Sequence, residues 1–209
     1  MAAISIKGDF MNCISHEKIT EYAINISGFD FTKKEIDILK LYSTQPDVDE
    51  TEGAFKNHFY NPSNNLNFRG ERTNALTKLD YHFSSSNNGD ILEKLGRAIH
   101  YLEDLCCPVH VYYEDLFDAV YRSKQHMNFE TLCDKIINDI NPNMLVIQYD
   151  YFTTNSLKTI GKSCAMKASK LFYELDEVIV APKEIAERSI LLAIEAVAGL
   201  LYRCFGGKK

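Results

Sequence analysis

The sequence has no apolar run long enough to span a bilayer, no stretch that alternates as a β-strand does, and no excess of positive charge. The first absence excludes a transmembrane helix. The second leaves an all-α domain as the expected fold class. The third, 23 Lys and Arg against 29 Asp and Glu for a net charge of −6, argues against a nonspecific electrostatic grip on nucleic acid. Met1 to Phe10 also lacks the apolar centre and small-residue cleavage site of a signal peptide, so the chain as it stands is expected to be soluble and cytoplasmic. No internal repeat or low-complexity tail breaks it up. A length of 209 residues, 45% of them apolar, is enough for one core, and residues 1–209 are read as a single domain with no separate C-terminal lipid-binding domain.

What the sequence does have is helical periodicity. Apolar residues at three and four spacing run through Ile14 to Ile26, Phe31 to Tyr42, Glu71 to Tyr81, Ile91 to Leu105, Met127 to Ile140, Asn155 to Glu174 and Glu184 to Phe205. Thr32 followed three residues later by Glu35 predicts a capped helix start, and Pro182 suits the first turn of the last helix. Between Ser43 and Arg69 the period fails at Gln45-Pro46-Asp47 and Asn61-Pro62-Ser63, which predicts a loop carrying Asp47 and His58. A second loop is predicted at Ser84 to Gly89.

Six cysteines (Cys13, Cys106, Cys107, Cys133, Cys164, Cys204) make an even number, but adjacent Cys106 and Cys107 could pair with each other only under strain. Free thiols are expected. The histidines are more informative. Acids occupy 29 of 209 positions, so about one histidine in seven should meet an acid four residues on by chance, yet three of six do: His100 with Asp104, His110 with Glu114, and His126 with Glu130. Residues four apart share a helix face, so such a pair can grip one cation, although it can equally brace a surface helix by about 0.2–0.5 kcal/mol. His110 with Glu114 is read as accidental, and His82 as structural.

The longer pattern carries more weight. Leu95-Gly-Arg-Ala-Ile-His-Tyr-Leu-Glu-Asp104 followed by Pro108-Val-His110 resembles the central motif of bacterial zinc-dependent phospholipases C. His16, Pro46-Asp47, His58-Phe-Tyr-Asn-Pro62 and His126 to Glu130 stand in that family's order, and Ala193 to Phe205 resembles its closing helix. The resemblance implies a multi-helix domain of the zinc-dependent phospholipase C/P1 nuclease type holding two to three zinc ions. Carried over, one zinc would take Asp47, His58, His100 and Asp104, and a second His110, His126 and Glu130. Asp104 would also bridge to a third, held by His16 and, in the family, by the amine and carbonyl of an N-terminal tryptophan. This sequence contains no tryptophan; removal of Met1 would leave Ala2 as the terminal amine.

The activity so implied is hydrolysis of a phosphodiester, most simply a phospholipid, to diacylglycerol and a phosphorylated head group, with peripheral contact to a membrane. Asp47 is the candidate general base. Phe55 matches one wall of the family's choline-binding box, but Val48 stands where that box has an aromatic residue and the residues before Lys7 include no acid, so a choline preference is not implied. The family acts outside the cell, in tension with the absent signal peptide. The alternatives are a single-strand nuclease of the S1/P1 kind and a binding protein that has lost catalysis on the same scaffold. The nuclease pattern ends in histidine and aspartate after a longer gap, whereas here His126 and Glu130 follow His110 closely. Cys106 and Cys107 sit where the family has noncoordinating residues. Tyr112, Tyr113, Phe117 and Tyr121 are read as core and rim packing.

Overall fold

A computed structural model of the chain describes residues 14–49, 52–85, 90–111, 119–176 and 180–206. Ala2, Lys7, Cys13, the predicted loop at 86–89, Tyr112, Tyr113, Glu114 and Phe117 lie outside the described residues, together with the side chain of Tyr121. Among the described residues eight α-helices follow in order: α1 Ile14–Ser27, α2 Lys33–Asp49, α3 Ala75–Ser84, α4 Ile91–Asp104, α5 Ala119–Ile136, α6 Tyr149–Thr154, α7 Leu157–Asp176 and α8 Pro182–Phe205. Short 3-10 turns cover Glu52–His58 and Pro108–His110. Among the described residues the only extended pairing is a lone bridge between Asn61 and Leu66, and no helix is long and apolar enough to cross a membrane.

Local chemistry sets the helix ends. The expected cap of α2 forms: Thr32 donates its N–H to Glu35 Oε2 at 2.8 Å, and the Glu35 N–H returns to Thr32 Oγ1 at 3.3 Å. α3 starts at Ala75 rather than Glu71 because Asn74 caps it reciprocally with Thr77, while Asn67 Oδ1 accepts from the N–H groups of Arg69 and Glu71 and holds the preceding residues as a loop. α5 begins eight residues before the expected Met127, so His126 and Glu130 lie one turn apart on one helix. The stretch expected to start at Asn155 becomes α7, which begins two residues later where Ser156 Oγ accepts the Thr159 N–H, and the short helix α6 just before it was not expected.

The largest departure is at α2, which runs on through Pro46 to Asp49, so Asp47 lies in a helical turn and not in the predicted loop. Proline removes one backbone donor and crowds the preceding turn, a loss of about 3 kcal/mol in an isolated helix. Packing offsets it. Pro46 is buried, Arg97 of α4 forms an ion pair with Asp49, and the Arg97 guanidinium lies 5.5 Å from the centre of the Tyr42 ring.

α4 is the central element. Every residue from Leu95 to Leu105, apart from Arg97, is buried, and α2, α3 and α8 all pack against this helix. The approach of α2 depends on Gly96: a Cβ there would lie 2.6 Å from Tyr42 Cβ and 3.0 Å from the Leu39 carbonyl oxygen. Gly96→Ala is therefore expected to destabilise the protein by about 1–3 kcal/mol despite alanine's better helix propensity. Chemical denaturation would measure it, and a neutral or stabilising outcome would contradict the close contact.

Candidate metal centre

Six elements converge on one point. α1 brings His16, the last turns of α2 bring Asp47, and the 3-10 turn at 52–58 ends on His58. α4 supplies His100 and Asp104, the Pro108–His110 turn supplies His110, and α5 supplies His126 and Glu130. Their donor atoms fall into three groups. In the first, His58 Nδ1 lies 2.9 Å from His100 Nε2 and 2.9 Å from Asp104 Oδ2, with His100 Nε2 to Asp104 Oδ2 at 3.3 Å. Asp47 Oδ1 adds a fourth donor at 3.6 Å from His58 and 3.5 Å from His100. In the second, His110 Nε2 lies 2.8 Å from His126 Nε2, and Glu130 Oε1 is 3.1 Å from both. In the third, His16 comes together with Asp47 and His100; its Nε2 is 3.9 Å from Asp47 Oδ2 and also 3.9 Å from Asp104 Oδ1.

The rings are aimed by what holds their far sides. A carbonyl oxygen only accepts, so His100 must donate its Nδ1–H to Ser43 O at 2.8 Å, and His110 its Nδ1–H to His58 O at 3.1 Å. Each bond leaves Nε2 to face the cluster as a lone pair, the state that binds a cation. His16 is held the same way by the Glu103 carboxylate at its Nδ1.

Four carboxylates, Asp47, Glu103, Asp104 and Glu130, share this space, and two of them close the C-terminal end of α4, where the helix dipole is already negative and no basic residue stands in the last turn. Such a site must gather positive charge. Burial would raise the Asp104 carboxyl, but the imidazoles of His100, His110 and His58 outweigh it and hold Asp104 well below the usual carboxylate range. Asp47 is lowered in the same way by His100, His16 and His58, and Glu130 by His126 and His110, each against the opposing effect of burial. Conversely, burial opposes charge on His16, yet Glu103 and the neighbouring Asp47 and Asp104 push its pKa up to about 10. Burial likewise opposes a rise at His110, where Asp104 and Glu130 prevail. Protons thus occupy the place that a metal cation would take.

The donor set suits zinc. Tetrahedral zinc with bonds near 2.0–2.1 Å places its ligand atoms about 3.3 Å apart. The first group spans 2.9 to 3.6 Å with four donors, and the second spans 2.8 to 3.1 Å with three, leaving a coordination position for water or substrate.

All eight residues singled out as metal ligands thus come together. Asp47 differs from expectation in facing two groups at once, Oδ1 toward the first and Oδ2 toward His16. Phe55 flanks the site, its ring centre 6.2 Å from that of His58 and 5.9 Å from that of His126. His82 stacks on Tyr101, 5.7 Å between centres, and belongs to none of the three groups. Cys106, Cys107, Cys133 and Cys164 are free thiols, and neither Cys106 nor Cys107 joins a donor group. Sequence reasoning missed Glu103. Its signal was present: an acid three residues after His100 on a strongly amphipathic helix.

Comparison with known proteins gives the family and the fold. The family model described as zinc-dependent phospholipase C matches residues 15–179. No curated protein matches the sequence. Among solved structures, alpha toxin from Clostridium absonum superposes with a TM-score of 0.75 at 22% identity, covering 92% of this chain and 64% of the toxin. Clostridium perfringens alpha-toxin from an avian strain gives 0.70 at 18% identity, covering 90% of this chain and 62% of that one. The chain thus spans less than two thirds of either toxin, and the shared part is the helical fold. With a family match over most of its length and the family's ligand types gathered at one point, the chain belongs to the zinc-dependent phospholipase C family.

Proposed function

We propose that this chain hydrolyses the phosphodiester bond of a phospholipid, releasing a diacylglycerol-like alcohol and a phosphorylated head group. The observation that carries the reading is the pair of well-spaced donor groups on either side of Asp104, whose Oδ2 faces His58 and His100 and whose Oδ1 lies 3.3 Å from the Nδ1–H side of His110. Zinc bound there supplies positive charge for the phosphodiester oxygens and acidity to a water at neutral pH.

The residues of the chain divide the remaining work. His58, His100, Asp104 and Asp47 hold one ion, His110, His126 and Glu130 a second, and His16 with Asp47 and Asp104 the third. Asp47 and Glu130 have the most open side chains of the set, 19% and 25% exposed, so the substrate approaches from their side. Asp47 is the general base: its carboxylate stays ionised and reaches the edge of the cluster, where it can accept a proton from a positioned water. Phe55 packs against Phe59 and Phe68, with ring centres 5.1 and 6.5 Å away, while Phe59 stacks on His110 at 4.9 Å. This aromatic wall receives the apolar or cationic part of the lipid and keeps bulk water from one side of the reaction.

The test is release of phosphomonoester from vesicles of phosphatidylcholine and other phospholipids, run beside cleavage of single-stranded DNA. Phospholipid turnover by the zinc-loaded chain is expected, and activity on DNA alone would replace this reading with the nuclease one. His110→Ala should abolish turnover with little change in helical circular dichroism. Unchanged turnover would remove His110 from the second ion's ligands.

A further inference from the structure

We infer that Glu103 is a positioning residue that holds His16 as a ligand, giving this chain a third ion site fixed from within the helical core. Glu103 stands on the last turn of α4 and is 3% exposed. Its two oxygens are both engaged by α1: Oε1 accepts from the Thr20 hydroxyl at 3.1 Å, and Oε2 meets His16 Nδ1. His16 and Thr20 are four residues apart, so one face of α1 presents both groups to a single carboxylate. Thr20 is itself fully buried.

A second contact fixes the start of α1. Asp134 of α5 accepts the Ser15 N–H at 2.9 Å and also meets the Ser15 hydroxyl. The backbone beside His16 is thereby tied to α5 while its ring is tied to α4. With Nδ1 committed to Glu103, the only nitrogen that His16 can offer a cation is Nε2, and Nε2 lies 3.9 Å from both Asp47 Oδ2 and Asp104 Oδ1. A carboxylate accepting the Nδ1–H of a metal-binding histidine fixes the ring's tautomer and orientation and makes Nε2 a stronger donor. Glu103 does not reach the Nε2 side and is no ligand itself. A buried ion pair that served structure alone would be a poor use of two desolvated charges, since apolar residues of similar volume commonly do as well or better.

The inference rests on the zinc reading above, and its test separates the two. The full chain is stripped of metal, titrated with zinc against a competing chelator, and analysed for zinc content. The wild type is expected to hold three ions. Glu103→Gln should weaken the weakest of them roughly 10–100-fold while the other two keep their affinities. Thr20→Val should act in the same direction with a smaller change, and serves as the test if Glu103→Gln does not fold. In a His16→Ala background, which should hold two ions, adding Glu103→Gln should change nothing further. A Glu103→Gln isotherm that superimposes on the wild type, a wild type holding only two ions, or a further loss in the His16→Ala background would each overturn the inference while leaving zinc binding intact. A wild type that binds no zinc would overturn both.

Discussion

Asp104→Asn is expected to lower phosphodiester hydrolysis about 1,000-fold or more, equivalent to about 4 kcal/mol of lost transition-state stabilisation, and to release zinc at the same time. Asparagine has the shape of aspartate, so no cavity opens and Ile99, Leu102 and Leu105 keep their packing around α4. What changes is charge and the number of acceptors. One Asp104 carboxylate lies within 2.9 to 3.9 Å of nitrogens on His58, His100, His110 and His16, so all three donor groups lose an anion or an anionic neighbour. An amide also points N–H donors at imidazole nitrogens whose lone pairs are needed for metal. Far-UV circular dichroism should retain its helical form at room temperature while zinc content falls. Unchanged zinc content together with unchanged turnover would refute the bridging role.

The second large effect is a reversal in how stability depends on pH. In the metal-free chain Asp47, Asp104 and Glu130 have depressed folded pKa values, so their contribution is present above the unfolded carboxylate range near pH 4 and is lost as pH falls through the lower folded values. His16 and His110 have raised values, so theirs is fully present below about pH 6.5 and is lost as pH rises toward the folded values, about 10 for His16. The melting temperature of the chelated protein should therefore fall between about pH 6.5 and 8.5. With zinc the sign turns, because the metal displaces the same protons and binds more tightly as pH rises. The window closes near pH 8.5. Above it the thiols of Cys106, Cys107 and Cys133, whose pKa values desolvation raises, destabilise both forms alike. Calorimetry in chelator and in zinc should show slopes of opposite sign, and parallel slopes would mean that the histidines are not the groups exchanged for metal.

Legibility in the sequence followed the range of the interactions. His100 with Asp104 and His126 with Glu130 were visible because each pair lies on one helix at a spacing that local geometry dictates. The helical segments showed wherever one face is apolar and the other wet. α4 shows that contrast clearly, but the His16 that Glu103 meets lies 87 residues earlier in the chain, so nothing local singled Glu103 out. The helical course of Asp47 was hidden by Pro46, whose local preference is overridden by α4 packing 50 residues further along the chain. The start of α3 at Asn74 likewise depends on side-chain caps that compete with helix over the residues before it.

The bond from His110 to the His58 carbonyl has one more consequence. The residue whose ring serves one ion lends its backbone to orient the ring that serves another, and the Tyr60 N–H answers by bonding His110 O at 3.0 Å. Two short stretches of chain are thus laced together across the site. Whatever steadies one of them removes freedom from the other, so part of the ordering needed for the second ion is already complete when the first has bound. Zinc uptake at these two sites is in that sense a linked process, in which the first ion prepares the ground for the second.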